Sequence, residues 1–251
     1  DSLLFFTNKG KVYQSKGYDI PEYGRTAKGI PVVNLLNIEN EEYVKEIIAL
    51  HPSEEDQYLF FVTKNGIVKR SDVSAYANIR NNGLIALNMR EDDELINVLV
   101  TNGQQNIIIG SHNGYAMTFA ETDARIMGRT ATGVRGMKLR EGDYVVGAAV
   151  LNPESNVLVV TERGYGKQTP ASEYAVKNRG GKGIKTSNIS AKSGQLAGIV
   201  STEGDEDLMV MTDQGVVIRF NIASISVTSR ATLGVKMIRL DDGAKVSSIT
   251  K

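Results

Sequence analysis

The residues best placed to do chemistry are Asn178-Arg179-Gly180-Gly181-Lys182-Gly183-Ile184-Lys185-Thr186. Gly180, Gly181 and Gly183 lack a Cβ, so the backbone can take positive φ and let a phosphate or another backbone come close. Arg179, Lys182 and Lys185 place three cations on that pliable segment. The chemistry on offer is anion binding, although a surface turn needs the same composition. Looser versions recur at Gly24-Arg25-Thr26-Ala27-Lys28-Gly29, Asn78-Ile79-Arg80-Asn81-Asn82-Gly83, Gly128-Arg129-Thr130-Ala131-Thr132-Gly133 and Ser229-Arg230-Ala231-Thr232-Leu233-Gly234. Four of the five set an arginine four residues before the last glycine, and Arg80 is one residue out. The chain is a repeat protein.

Strands must position these loops. Each repeat opens with an apolar run and a tight turn: Leu3–Thr7 with Gly10, Tyr58–Thr63 with Gly66, Asn106–Ser111 with Gly114, Asn156–Thr161 with Gly164, and Asp207–Thr212 with Gly215. These glycines stand 56, 48, 50 and 51 residues apart. Asn-Gly between β-rich runs is a strong hairpin signal. A second strand of mixed character follows, then an arm carrying Tyr23, Tyr76 or Tyr174 as equivalent packing residues. The basic loop, a third strand, an acidic turn and a fourth strand complete the unit. The stretch Glu42–Leu50 aligns with the other fourth strands and lacks helical periodicity. Repeated four-stranded units of about 50 residues predict an all-β fold of antiparallel blades around an axis, the apolar first strands buried on both faces near it. The expected repeats are 1–56, 57–104, 105–154, 155–205 and 206–251, forming a single domain.

The formal net charge is zero, yet the charges are sorted. Segments 39–57, 91–94, 141–154, 203–207 and 241–242 hold 20 of the 29 acidic residues and one base, Lys45. If the blades stand in register, the acidic turns lie away from the basic loops, leaving one surface positive. A phosphate backbone is drawn to such a surface whatever the total charge.

No enzyme chemistry is legible. His51 and His112 lie in an acidic loop and a hairpin turn, with no triad or ligand set around them. There is no cysteine, no Walker-type loop and no apolar run of the roughly 20 residues that spans a bilayer. The acidic pairs fall on turns, where solvated carboxylates are expected. A protein-interaction propeller of the kelch or chromatin-condensation-regulator kind also uses repeats near 50 residues. Its signatures include a tryptophan, and this chain has none.

Gly24–Pro31, Gly128–Gly136 and Gly164–Lys167 closely resemble the C-terminal domain of the bacterial DNA gyrase A subunit. The resemblance covers essentially the whole chain. It implies a six-bladed β-pinwheel, five repeats of which are visible, with strands exchanged between neighbouring blades and a basic perimeter that wraps DNA. It further implies support of ATP-dependent negative supercoiling, with no cofactor in this domain and with ATP and Mg used elsewhere in the holoenzyme. The partners implied are double-stranded DNA, the B subunit in an A2B2 assembly, and the rest of the A subunit. A cytoplasmic, nucleoid-associated location, no membrane and a monomeric isolated domain are expected. The DNA-binding candidates are Arg25, Lys28, Lys69, Arg70, Arg80, Arg129, Arg135, Lys167, Arg179, Lys182, Lys185, Arg219, Arg230 and Lys236. The family's box heptapeptide, Gln-Arg-Arg-Gly-Gly-Lys-Gly, belongs to its first blade. Here the closest version, Lys177–Gly183, stands in the fourth repeat. We expect the chain to begin after the first blade and Arg179–Gly183 to be a second, box-like copy. A five-bladed domain of the paralogous topoisomerase IV protein is the alternative.

Overall fold

A glycine closes the first turn of every repeat because the backbone there is left-handed. Gly10, Gly66, Gly114, Gly164 and Gly215 have φ between +73° and +83°, a region that a Cβ disfavours. The N–H groups of Gly10, Gly114, Gly164 and Gly215 are donated to the carbonyls of Thr7, Ser111, Thr161 and Thr212 at 2.9–3.1 Å. The computed structural model describes residues 2–24, 26–50 and 57–251; Arg25 and His51 lie outside the described residues.

Strands and short 3-10 turns make up the described secondary structure. The first strands are β1 (Ser2–Thr7), β4 (Tyr58–Thr63), β8 (Asn106–Ser111), β12 (Asn156–Thr161) and β16 (Asp207–Thr212). Their hairpin partners are β2 (Lys11–Lys16), β5 (Ile67–Asp72), β9 (Tyr115–Ala120), β13 (Tyr165–Pro170) and β17 (Val217–Asn221). The fourth strands are β3 (Val44–Leu50), β7 (Leu95–Thr101), β11 (Val145–Leu151), β15 (Leu196–Thr202) and β19 (Val246–Thr250). Third strands are two residues long: β6 (Leu84–Ile85), β10 (Val134–Arg135), β14 (Ile184–Lys185) and β18 (Val235–Lys236).

These short strands do not stay in their own repeat. The sheets run β3-β1-β2-β6, β7-β4-β5-β10, β11-β8-β9-β14 and β15-β12-β13-β18, so each third strand closes the sheet of the preceding repeat. The fifth sheet, β17-β16-β19, has three strands rather than the expected four. Where the first repeat's third strand was expected, Val32–Asn34 forms a 3-10 turn, because a strand this short exists only against a sheet edge. The fold class is all-β, a β-pinwheel of antiparallel blades with exchanged strands.

First and fourth strands shift register at one equivalent place in all five repeats, beside Thr7, Thr63, Val145, Thr161 and Thr212. A bulge at each strand end increases the local twist. The chain packs as two compact units. The first comprises Asp1–Thr63, Val68–Gly103 and Arg125–Val134; its core joins Leu4, Phe6, Val12, Leu59, Phe61 and Tyr76, with Phe6 and Phe61 edge-to-face at 5.7 Å. The second comprises Lys64–Ile67, Gln104–Ala124 and Arg135–Lys251, with cores around Val157, Val159, Leu196 and Ile199 and around Leu158, Val210, Ile222 and Ile238. The interior strands supply most of these residues, and full burial of each large aliphatic side chain contributes roughly 1.5–3 kcal/mol.

Tyr76 and Tyr174 are buried, and their hydroxyls bond the Ala86 carbonyl at 3.0 Å and the Thr186 hydroxyl at 2.5 Å. Tyr23 departs from the expected equivalence: it is 52% exposed. Ala86 and Thr186 follow exchanged strands β6 and β14, and the arm of Tyr23 has no such strand of its own repeat beside it.

The acidic turns also carry structure. Thr7, Thr63 and Ser111 donate their hydroxyls to Glu42, Asp93 and Asp143 at 2.6–2.7 Å, tying each acidic turn to the end of a first strand. Glu42 is buried, contrary to a solvated carboxylate. Glu206, just before β16, instead accepts from Thr202 at the end of the preceding fourth strand, β15. Burial raises its pKa, but hydrogen bonds from Thr202, Lys251 and the N–H groups of Glu203 and Gly204 outweigh that and hold it down to about 2. A carboxylate depressed on folding stabilises above its unfolded pKa of 4.5 and loses that contribution as pH falls toward about 2. Thermal melts of wild type and Glu206→Gln should therefore differ near neutral pH and converge between about pH 4.5 and about pH 2; a difference that stays constant across that window would contradict the assignment.

Candidate nucleic-acid interface

The loop that follows each arm ends in a left-handed glycine in all five repeats, and in four of them it leads into the exchanged third strand. Gly29, Gly83, Gly133, Gly183 and Gly234 have φ from +69° to +97°. Space adds a second demand. A Cβ on Gly183 would stand 2.5 Å from the Ala116 carbonyl oxygen, and one on Gly234 2.5 Å from that of Gly166. The final glycine therefore lets the outgoing strand come against the second strand of the preceding sheet.

The arginine that marks the loop motif reaches back along the chain. Arg129 donates from Nη1 to the Ile85 carbonyl at 2.8 Å, and Arg179 from Nη1 to the Arg135 carbonyl at 2.9 Å. Arg230 donates in the same way to the Lys185 carbonyl. Ile85, Arg135 and Lys185 are the last residues of β6, β10 and β14, so each arginine fastens the exchanged strand laid down one repeat earlier. Carboxylates of the preceding arm fix the backbone as well: Asp123 accepts from the N–H of Arg179 at 3.2 Å, and Glu173 from that of Arg230 at 2.8 Å. These three arginines are half-buried. Their matching spacing reflects strand fastening first; Arg179 also donates from Nε to the Asp123 carbonyl at 2.9 Å, and Arg230 Nε is buried.

Three of the predicted cations are interior. Lys69 and Lys167 are fully buried and Arg70 nearly so, which corrects their assignment to a DNA-facing surface. Lys69 Nζ donates to the Arg129 carbonyl at 2.6 Å, to the Ala86 carbonyl and to the Tyr76 hydroxyl at 3.3 Å. Lys167 Nζ donates to the Ser229 carbonyl at 2.8 Å, the Arg230 carbonyl and the Thr232 hydroxyl at 3.3 Å. Three acceptors match the three protons of an ammonium. Burial pushes the Lys69 pKa down to about 7, with the Arg129 charge adding to it. Burial likewise brings Lys167 to about 8, against Glu173 and with Arg230. Arg70 places its guanidinium over the Tyr58 ring, 5.0 Å from the centroid.

The other cations are outside. Lys28, Arg80, Arg135, Lys182, Lys185, Arg219 and Lys236 are exposed, and Arg219 pairs with Asp207 through Nε at 2.8 Å. Arg135, Lys185 and Lys236 occupy one place, the second residue of β10, β14 and β18, on the outer strand of three sheets. The loop motif missed Arg125, Lys138 and Lys177, exposed cations on the arms and just past β10. Their only sequence signal was adjacency to the loops. His112 bonds Glu162 at 3.2 Å and stacks on Tyr144 at 4.4 Å, a packing role. Among the described residues no cluster of three or more metal-ligating side chains occurs, and no helix is long and apolar enough to cross a membrane.

A family model described as DNA gyrase C-terminal domain, beta-propeller, matches residues 1–49, 57–102, 105–152, 155–203 and 206–251. The chain belongs to the DNA gyrase C-terminal domain family. The DNA gyrase A subunit of Streptococcus pneumoniae serotype 4 is 59% identical over 251 residues, covering 100% of this chain and 30% of the relative. The DNA gyrase A subunit of Halalkalibacterium halodurans is 57% identical over 250 residues, with the same coverage of 100% and 30%. The chain thus spans 30% of the length of these relatives. A solved C-terminal domain of DNA topoisomerase IV superposes with a TM-score of 0.90 at 27% identity, covering 100% of this chain and 78% of the other. A DNA gyrase A C-terminal domain superposes with a TM-score of 0.86 at 24% identity, covering 99% and 81%, a likeness of fold.

Within this gyrase-family domain the box-like loop Arg179–Gly183 is held tightly by its surroundings. The Gly180 N–H is donated to the Gly136 carbonyl at 2.6 Å, and the Gly181 carbonyl accepts from Lys138 N–H at 2.8 Å. Gly180 N–H is therefore already engaged, and the glycines serve a close crossing between loops. Lys182 on this loop and Lys185 on β14 are exposed.

Burial separates two kinds of cation by their effect on stability. Lys69→Met removes the donor from two backbone carbonyls and should lower the unfolding free energy by about 1–3 kcal/mol. Lys185→Ala, at an exposed place, should stay within about 0.5 kcal/mol of wild type. Urea unfolding followed by circular dichroism measures both; equal losses would contradict the division.

Proposed function

We propose that the chain is the DNA-binding and DNA-wrapping domain of a bacterial DNA gyrase A subunit. It bends double-stranded DNA along the outer strands and exchange loops of its sheets, supporting ATP-dependent negative supercoiling by the holoenzyme. Catalytic tyrosine, ATPase and metal chemistry belong to other parts of that enzyme. Its partners are the B subunit, in an A2B2 assembly, and the rest of the A subunit. The setting is the bacterial cytoplasm, at the nucleoid.

One observation carries this reading: Arg135, Lys185 and Lys236 repeat at the same exposed place on three successive exchanged strands. A cation at a fixed interval suits a phosphate backbone, which presents charge at a fixed interval and little base identity. Lys182 and the half-buried Arg179 and Arg230 belong to the same unit as these three, and Lys28, Arg80 and Arg129 give the other unit loop cations of its own. Many contacts must act together, because bending a short duplex by 40–90° costs roughly 1–6 kcal/mol.

Binding to random-sequence duplexes should be sequence-tolerant and steeply salt-dependent. With about 6–10 phosphates contacted, affinity falls by about 10³–10⁵ between 50 and 200 mM salt. Lys185→Ala should reduce the slope of log affinity against log salt by about one. Affinity that is flat over this range would refute an electrostatic DNA interface.

A further inference from the structure

The sheets differ at one place beneath the exchange loop. The residue three positions after the hairpin glycine is Tyr13, Lys69, Met117, Lys167 and Ile218 in the five repeats. In the first four sheets an exchange loop lies over it. The loops over Lys69 and Lys167 share one turn, in which Ala131 N–H is donated to the Gly128 carbonyl and Thr232 N–H to the Ser229 carbonyl. That turn directs the carbonyls of Arg129 and Arg230 inward, onto the lysine ammonium.

The loops over Tyr13 and Met117 are built otherwise. In one, the turn moves along the chain, with Gly83 N–H donated to the Arg80 carbonyl. In the other, Gly180 N–H leaves the loop for the Gly136 carbonyl. Each brings a glycine down onto the far end of the side chain beneath, whereas a Cβ on Gly234 would meet Lys167 only at its Cβ, 3.1 Å away. A Cβ on Gly83 would stand 2.7 Å from Tyr13 Cε1, and one on Gly181 3.3 Å from Met117 Cε and Sδ.

We propose that this one side chain selects which exchange loop a sheet accepts. A lysine takes a loop whose turn offers inward carbonyls; an apolar side chain, or a tyrosine whose hydroxyl is donated to Glu42 instead, takes a loop that sets a glycine over it. Mismatches fail in both directions. A buried ammonium under a glycine loop lacks acceptors, and inward carbonyls over a methionine lack a donor. In Gly24–Gly29 the Ala27 N–H is donated to the Gly24 carbonyl at 2.9 Å, the same bond as in the loops over Lys69 and Lys167. By the rule the sheet of β16, β17 and β19, with Ile218 at the selecting place, is of the glycine-loop type.

A swap within the whole chain tests the rule. Three variants are compared with wild type by thermal melting: Lys167→Met, replacement of residues 229–234 by the sequence of Asn178–Gly183, and both changes together. Each single change should lower the melting temperature, and the combination should recover more than half of the summed loss. Where a single variant does not fold, recovery of a cooperative transition in the combined variant is the supporting result. Losses that add, or a combined variant no more stable than the worse single one, would overturn the proposal.

Discussion

The structure depends on how the outer edge of each second strand is satisfied. Its backbone N–H and C=O groups cannot be left bare without cost or without inviting another chain. In four sheets the following repeat supplies a strand of two residues to that edge. Two residues give two paired positions, as in Lys11 with Ile85 and Val12 with Leu84. At roughly 0.5–1.5 kcal/mol net for each hydrogen bond, such a strand is too weak to hold its place alone. Everything around it compensates: a glycine at the close approach, a side chain beneath the loop and, for β6, β10 and β14, an arginine from the next loop fastened to its last carbonyl.

This construction explains why a neutral chain can present a basic surface. Interior cations are balanced by carbonyl oxygens rather than by carboxylates, as at Lys69 and Lys167. Many acidic residues, meanwhile, tie the turns between third and fourth strands to the hairpin ends, as Asp93 and Asp143 do through Thr63 and Ser111. The two sets of charges occupy different parts of each repeat because they perform different structural tasks. Among the described residues, no ion pair joins Arg135, Lys185 or Lys236 to an acid of the turns.

Much of this was legible in the sequence. Hairpin glycines, apolar first strands and a fourth strand at Val44–Leu50 follow from local rules, since positive φ and period-two burial are properties of a few adjacent residues. The direction in which the third strand leaves its repeat is not local. Leu84-Ile85 and Val134-Arg135 have no sequence feature that says whose edge they meet. Lys69 and Lys167 misled for a related reason: beside Arg70 and Gln168 they read as surface positions, and only the loop carbonyls contributed by the following repeat make their burial possible. Tyr23 shows the converse. Its repeat position is that of Tyr76 and Tyr174, yet it is exposed, because burial there is created by an exchanged strand rather than by the arm's own composition.

The central claim is that the exchanged edge, and not charge in general, meets DNA. Amine-reactive footprinting of the lysines, read by mass spectrometry with and without a duplex, tests it most directly. Lys28, Lys182, Lys185 and Lys236 should lose reactivity when DNA is bound, while Lys45 and Lys245, beside the acidic turns, should keep theirs. Protection spread evenly over all exposed lysines, or confined to Lys45 and Lys245, would contradict the account.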